Sequence, residues 1–345
     1  MKPFHKFTIV ALALVMLVVL VACQPAATQA PAAEEPAVEE PAAEEPAAGA
    51  DEKTFEDLVV CFAQIGAESE WRSAETDSVK ETAEQLGVEL KFSDAQQKQE
   101  NQIKALRNCI AQQVDVIGIP PVVETGWETV FEEAKAAGIP VVLVDRQAAV
   151  PDDLYATFIG SDFVLEGKNS TIEMAKLMNE EGNIVQLEGT VGAGPAIDRK
   201  EGFEAELENY PNMKILESQS GDFTRAKGKE VMEAFLKKYG EEINGVYAHN
   251  DDMAIGAIQA IEEYGLVPGE DVIVVSIDGV KGAFEAMAEG KLNCTVECNP
   301  LLGPQFFDAA LTLVNGGEVP RWIKSDEGIF CGVETAEEML PQRKY

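Results

Sequence analysis

Apolar and polar positions along this chain follow two rhythms. Short apolar runs of strand length occur at Leu58–Phe62, Glu89–Phe92, Val114–Ile119, Val141–Val144, Tyr155–Ile159, Asn183–Leu187, Lys214–Ser218, Gly245–Ala248 and Val272–Ile277. Between them, near Glu70–Leu86, Glu100–Gln112, Trp127–Ala137, Leu165–Asn179, Ile197–Glu208, Thr224–Tyr239, Met253–Tyr264 and Gly282–Glu289, apolar residues recur at helical spacing. After Asn250-Asp251-Asp252, for example, Met253, Ala257, Ile258 and Ile261 share one helical face. Strands separated by helices predict an α/β fold of doubly wound parallel sheets covered on both faces. The strands are too many for one sheet of ordinary size, so two similar lobes joined by a hinge are expected.

The tail adds to this picture. A strand at Cys294–Glu297 is followed by Pro300, a helix near Phe306–Val314, Gly316-Gly317 and an extended piece around Ile329–Gly332. Such a path would return to the first lobe and leave it again. The expected lobes are 55–156 plus 299–325, and 157–298 plus 326–345.

The amino terminus breaks the rhythm. Lys2, His5 and Lys6 precede an apolar run from Phe7 to Val21 that ends in Leu20-Val21-Ala22-Cys23. This is the pattern of an export signal, expected over residues 1–22. The small residues before a cysteine resemble a bacterial lipoprotein box, which implies cleavage before Cys23, lipid on its thiol and attachment to a membrane. Residues 23–54 then read as a disordered linker. Gln24 to Gly49 is Pro, Ala and Glu with Glu-Glu-Pro-Ala occurring three times, and lacks the large apolar groups needed to offset ordering entropy. Proline and repelling glutamates keep such a spacer extended.

The formal net charge of −34 argues against nucleic acid as a partner. Cysteine is less decisive. Of 6 cysteines, Cys61, Cys109, Cys294, Cys298 and Cys331 remain once Cys23 is set aside, an odd number that leaves a free thiol. Cys294 and Cys298 stand roughly 13 Å apart along a strand, too far for a mutual disulfide. Either could reach Cys331, whereas Cys61 and Cys109 are expected as separate apolar fillers.

Polar groups collect where strands end. Glu68, Ser69, Trp71 and Arg72 follow the first strand, Asp145 and Arg146 follow Val144, Arg199 lies beyond Leu187, and Asn250 and Asp278 close the last two strands. Ligands of parallel sheets bind beyond the carboxyl ends of strands, so these side chains predict one crevice. Carboxylates only accept hydrogen bonds and guanidinium only donates them, so together they saturate hydroxyls that do both. A neutral polyol suits that mixture, with Trp71 or Phe223 covering the apolar face of a sugar ring. Each residue has a structural alternative: Asn250 or Asp251 as a helix cap, Asp278-Gly279 as a turn, Arg146 and Arg199 as solvated charges, Trp71 as packing. Phosphate binding is disfavoured because no Gly-rich P-loop follows a strand. With His5 and His249 the only histidines, a catalytic triad or histidine-rich metal centre is hard to build. Adjacent Asp251 and Asp252 point apart and do not bracket a scissile bond.

The segments 68–76, 96–103, 144–146, 196–200, 218–224, 247–260 and 276–279 resemble the sugar-binding periplasmic proteins of ABC importers, the ribose-binding class, and within it the galactofuranose-binding branch. That resemblance implies a type I periplasmic binding fold and a protein that is not an enzyme, with no cofactor and no metal. It implies that Glu68, Ser69, Trp71, Arg72, Asp145 and Arg146 form one wall, that Arg199, Asn250 and Asp278 face them, and that Phe223 is the aromatic platform. The implied ligand is a monosaccharide, galactofuranose or galactose, passed by a monomer outside the cytoplasm to an ABC transporter permease. A sugar-sensing receptor for chemotaxis or signalling would have the same cleft. Two positions depart from the pattern: Cys298 stands where ribose binders carry a hinge glutamine, and Glu70 where the galactofuranose branch has glycine.

Overall fold

The computed structural model describes residues 52–345. The expected signal peptide, Cys23 with its lipid and nearly all of the linker lie outside the described residues. The linker had been expected to extend through Thr54, but the chain is already docked at Lys53. Its backbone N–H donates to Asn315 Oδ1 at 2.9 Å, and its ammonium meets Asp115 at 2.5 Å.

In the first lobe β1 (Val59–Gln64), β2 (Glu89–Asp94), β3 (Val116–Ile119), β4 (Val141–Val144) and β5 (Thr157–Gly160) alternate with α1 (Glu70–Leu86), α2 (Gln99–Ala111) and α3 (Glu128–Ala136). The second lobe contains α4 (Phe163–Leu177), β6 (Glu181–Glu188), α5 (Gly194–Leu207), β7 (Asn212–Ser220), α6 (Arg225–Tyr239), β8 (Gly245–Ala248), α7 (Asp251–Tyr264), β9 (Ile273–Asp278), α8 (Lys281–Ala288) and β10 (Cys294–Glu297). The chain then returns through α9 (Gly303–Val314) and β11 (Trp322–Lys324) to the first sheet, and crosses again to β12 (Ile329–Cys331) and α10 (Val333–Met339) in the second. Strand orders are β11-β5-β4-β3-β1-β2 and β12-β10-β9-β8-β6-β7, parallel except where β12 runs antiparallel to β10.

The lobe boundary expected after residue 156 falls a strand too early. Thr157, Phe158 and Ile159 pair with Val142, Leu143 and Val144 of β4, so β5 closes the first sheet and the chain crosses only after Gly160. Apolar side chains cover both faces of the first sheet. On one of them α9 lays Phe306 edge-on to Phe62, ring centroids 5.4 Å apart. Gly118 in β3 makes room for this, because a Cβ there would come within 2.5 Å of the Phe306 ring.

Cys61 of β1 and Cys109 of α2 are not separate fillers but a disulfide, with Cα atoms 6.1 Å apart. They lie 48 positions apart on different elements, and meet because α2 packs on the face of β1 from which Cys61 projects. In the second lobe Cys294 is the partner of Cys331, directly opposite it in the β10/β12 pair, which leaves Cys298 as a buried free thiol.

Candidate functional site

The loops beyond the strands of both sheets line a small cavity with about 280 Å³ of atom-free space, part of it open to solvent. Its walls are Glu68, Ser69, Trp71, Arg72, Asp145, Arg146, Arg199, Phe223, Asn250 and Asp278, with Pro195 and Cys298 added. All ten side chains singled out in the sequence are thus brought together. Pro195 was missed, and Cys298 had been noted as a hinge position and a possible partner of Cys331 but not as a wall of the site.

Local structure explains each placement. Ser69 caps α1 by accepting from the Arg72 N–H at 3.1 Å, and this starts a helix whose buried stripe includes Trp71, Arg72, Glu75 and Val79. Asp145 leaves β4 in the left-handed conformation (φ 64°), which turns the chain at the strand end. Phe223 also has positive φ (59°), and its ring lies on Gly189, where a Cβ would approach within 1.9 Å. Asn250 serves in both of its possible roles. Its Oδ1 accepts from Met253 N–H at 3.1 Å as the cap of α7, its Nδ2 donates to Phe223 carbonyl at 3.1 Å, and it still lines the cavity.

The three arginines are buried, which removes the solvated alternative for Arg146 and Arg199, each 3% exposed. Their surroundings differ. Arg72 donates to Glu68 Oε1 at 3.1 Å, to Asp145 Oδ2 at 2.6 Å and to Glu75 Oε2. Burial alone would weaken its proton hold, but those three carboxylates raise its pKa well above the ordinary value. Arg199 donates to Glu166 Oε2 at 2.7 Å and to His249 carbonyl at 2.6 Å, with Asp278 Oδ1 at 3.6 Å. Despite burial, its pKa is likewise raised by Glu166 and other neighbours. Arg146 has one hydrogen bond, to Val122 carbonyl at 3.2 Å, and looser approaches to Asp145 (3.6 Å) and Glu68 (3.7 Å). Burial and then Arg72 depress it to about 10.

Glu75 and Glu166 were not anticipated. Burial pushes each up to about 7 against the pull of Arg72 and Arg199 respectively. A partial signal was present for Glu166, an acid on the buried helical face that also carries Phe163, Gly167, Met174 and Ala175. Asp251, by contrast, is a buried strut that accepts from Val280 N–H at 2.9 Å, Thr295 Oγ1 at 2.9 Å and Ser276 Oγ. His249 is held neutral by burial and by Arg199 and Lys200, and pairs with Gln186 at 2.8 Å.

Two buried polar atoms of the walls, Glu68 Oε2 and Arg146 Nε, make no hydrogen bond, the nearest carboxylate to the latter being Asp145 at 3.6 Å. Unpaired buried groups of this kind are costly, and a hydroxyl that both donates and accepts satisfies an acceptor and a donor together. The Arg146 guanidinium also lies 5.3 Å from the centre of the Phe223 ring, so charge from one lobe covers the aromatic face of the other. The lobes touch directly as well. Trp71 Nε1 donates to Cys298 carbonyl at 2.6 Å, Glu70 N–H to Asp252 Oδ2 at 2.7 Å, and Glu124 N–H to Gly192 carbonyl at 2.9 Å. The cleft is therefore closed.

Residues 60–318 match the family model described as periplasmic binding protein domain. The chain is 51% identical to the galactofuranose-binding protein YtfQ of Escherichia coli, over 83% of this chain and 92% of that one. It is similar to the solved periplasmic binding component of the arabinose ABC transporter from a Shewanella species, bound to L-arabinofuranose, at 50% identity and TM-score 0.81, covering 83% and 95% of the two chains. A Mycobacterium smegmatis structure in complex with β-D-fucofuranose gives 49% identity and TM-score 0.81 over 84% and 95%.

Proposed function

We propose, from the premise that this chain belongs to the periplasmic binding protein family, that it captures galactofuranose or a closely similar aldose in its closed cleft and presents it to an ABC import permease. The observation that carries this reading is that Glu68 Oε2 and Arg146 Nε, two buried polar atoms without a hydrogen bond, belong to residues lining a cavity walled by both lobes. Furanose ligands in two similar structures support a five-membered ring. The ten lining side chains bind the sugar: acids accept from its hydroxyls, arginines donate to them, and Phe223 and Trp71 cover its C–H surface. The names of the relatives support a role in binding rather than catalysis. Cys23 tethers the exported monomer by lipid, a reading that rests on Leu20-Val21-Ala22-Cys23, and recovery of the secreted protein wholly in the soluble fraction would exclude it.

Ligand binding to the folded state stabilises it by about 2.7 kcal/mol at a hundredfold excess over Kd. Thermal unfolding with galactofuranose, galactose, arabinose, fucose and ribose is expected to show the largest upward shift with a furanose of the galactose series. Absence of a shift with every pentose and hexose would reject the assignment.

Closure also predicts a pH effect. Asp198 on α5 is pushed up to about 6, first by burial and then by Glu124, Glu201 and Asp162, against a weaker pull from Arg199. Glu124 reaches it from the first lobe, so opening the cleft relieves part of that shift. An acid whose pKa is higher in the closed state penalises closure above that pKa, and the penalty fades as pH falls through about 6 towards ordinary carboxylate values. Sugar affinity is expected to rise a few-fold from pH 7.5 to 5, and Asp198→Asn should flatten the slope. An identical slope in the variant, measured by titration calorimetry, would remove Asp198 as the cause.

A further inference from the structure

We propose that the hinge carries a site for one divalent metal ion of the zinc class, ligated by Cys298, Glu166 and Glu327. One ligand atom from each of these residues lies within 4.8 Å of the others. Metal bonds of about 2.0–2.3 Å from thiolate sulfur and carboxylate oxygen require only small side-chain adjustment from there. A thiolate with two carboxylates suits a borderline cation better than calcium or magnesium. The fourth position would fall to water or to Ser161, whose Oγ is 3.3 Å from the Cys298 sulfur.

Three features set this cluster apart from an ordinary acidic patch. Glu166 is 2% exposed, and while Oε2 is held by Arg199, Oε1 makes no hydrogen bond to nitrogen or oxygen. Against the rise that burial imposes, the Cys298 thiol beside the carboxylate helps to lower its pKa. Cys298 is the one free thiol among the described residues and is fully buried beside it. The ligands also converge from separate crossings between the lobes. Cys298 follows β10, Glu327 precedes β12, and Ser161 follows β5 and donates to Glu327 Oε1, which also accepts from Asn299 N–H at 3.2 Å. A cation here would cross-link the hinge.

The two acids are reached from a hollow of their own, whereas Cys298 faces the sugar cavity. A hollow separate from the sugar cavity is lined by Glu166 and Glu327 together with Asp162, Glu297, Asp326 and Lys324, and Lys324 is spent on Asp162 at 2.8 Å. Glu297 is likewise paired with Arg343 at 2.8 Å and Glu166 with Arg199 at 2.7 Å, so Asp326 and Glu327 supply the unpaired acids of this hollow. The competing arrangement is a shared proton: burial pushes Glu166 to about 7, Glu327 to about 8 and the thiol upward, so all three groups hold protons readily near neutrality. Metal binding would release those protons to solvent as the ligands deprotonate. None of this depends on which sugar the cleft takes.

Cadmium is the probe, because its bond to thiolate absorbs in the ultraviolet. The full-length protein, purified free of metal, is expected to bind one Cd²⁺ per chain with a thiolate band that Zn²⁺ competes away. Glu327→Gln, which leaves the sugar-cavity walls intact, should weaken Cd²⁺ at least tenfold, and Cys298→Ser should abolish the band. No band at millimolar Cd²⁺, an unchanged affinity in Glu327→Gln, or a band that survives in Cys298→Ser would each overturn the site. If Cys298→Ser does not fold, alkylation of the wild-type thiol decides instead: protection by Zn²⁺ is expected, and an unaltered rate overturns the proposal.

Discussion

Arg146→Ala is expected to lose at least a hundredfold in sugar affinity while the sugar-free protein keeps, or slightly gains, thermal stability. The three cavity arginines look equivalent in the sequence, yet their surroundings separate them. Arg72 is fixed by three carboxylates, and removing it would strand Glu75 and Asp145 in the interior. Breaking a buried network of this kind costs about 3–5 kcal/mol. Arg146 has one weak hydrogen bond, an Nε that makes none, and a pKa depressed to about 10 by burial and Arg72. Its charge is a burden on the free protein that a ligand relieves. A hundredfold loss corresponds to about 2.7 kcal/mol, the scale of one or two charge-assisted hydrogen bonds. Calorimetric binding and sugar-free unfolding should be measured on the same preparations. Arg146→Ala that binds within tenfold of wild type, or that unfolds as readily as Arg72→Ala, would contradict this division.

That division was not legible in the sequence, although the site itself was. Strand ends can be read because the parallel runs are strongly apolar and stop abruptly, and parallel sheets place everything beyond those ends in one crevice. What each side chain does there depends on partners far away in the chain. Arg72 and Asp145 are 73 positions apart, Arg199 and Glu166 33. Asn250 illustrates a different limit: cap and cavity wall were weighed as alternatives, and one amide does both. Asp252, read in the sequence as half of an adjacent acidic pair, reaches the Glu70 N–H of the opposite lobe, a contact that exists only because the cleft is closed. β11 was missed because Trp322-Ile323-Lys324 is three residues long and mostly exposed, so it lacks the continuous apolar run of its neighbours. Its strand character comes from pairing with β5.

The disulfide between Cys61 and Cys109 carries the largest expected effect on stability. Its ends are 48 positions apart, and restricting the unfolded chain over that span stabilises the fold by about 4 kcal/mol in the chain-entropy account. For a domain of this size that corresponds to roughly 8–16 °C in Tm. The double substitution Cys61→Ala, Cys109→Ala is expected to lower the midpoint by such an amount, because the bond ties β1, the strand that leads into Glu68 and Arg72, to the helix packed beneath it. The Cys294–Cys331 disulfide closes a span of 37, and its removal by Cys294→Ala, Cys331→Ala should act differently. It pins β12, a three-residue edge strand, to β10, so its loss should fray the carboxyl-terminal segment before the lobe melts. Alkylation of the denatured, unreduced protein fixes the premise, since among these five cysteines only Cys298 should react. If Cys61 and Cys109 react as well, or if their double variant melts within about 2 °C of wild type, the first lobe must be held by its apolar core alone.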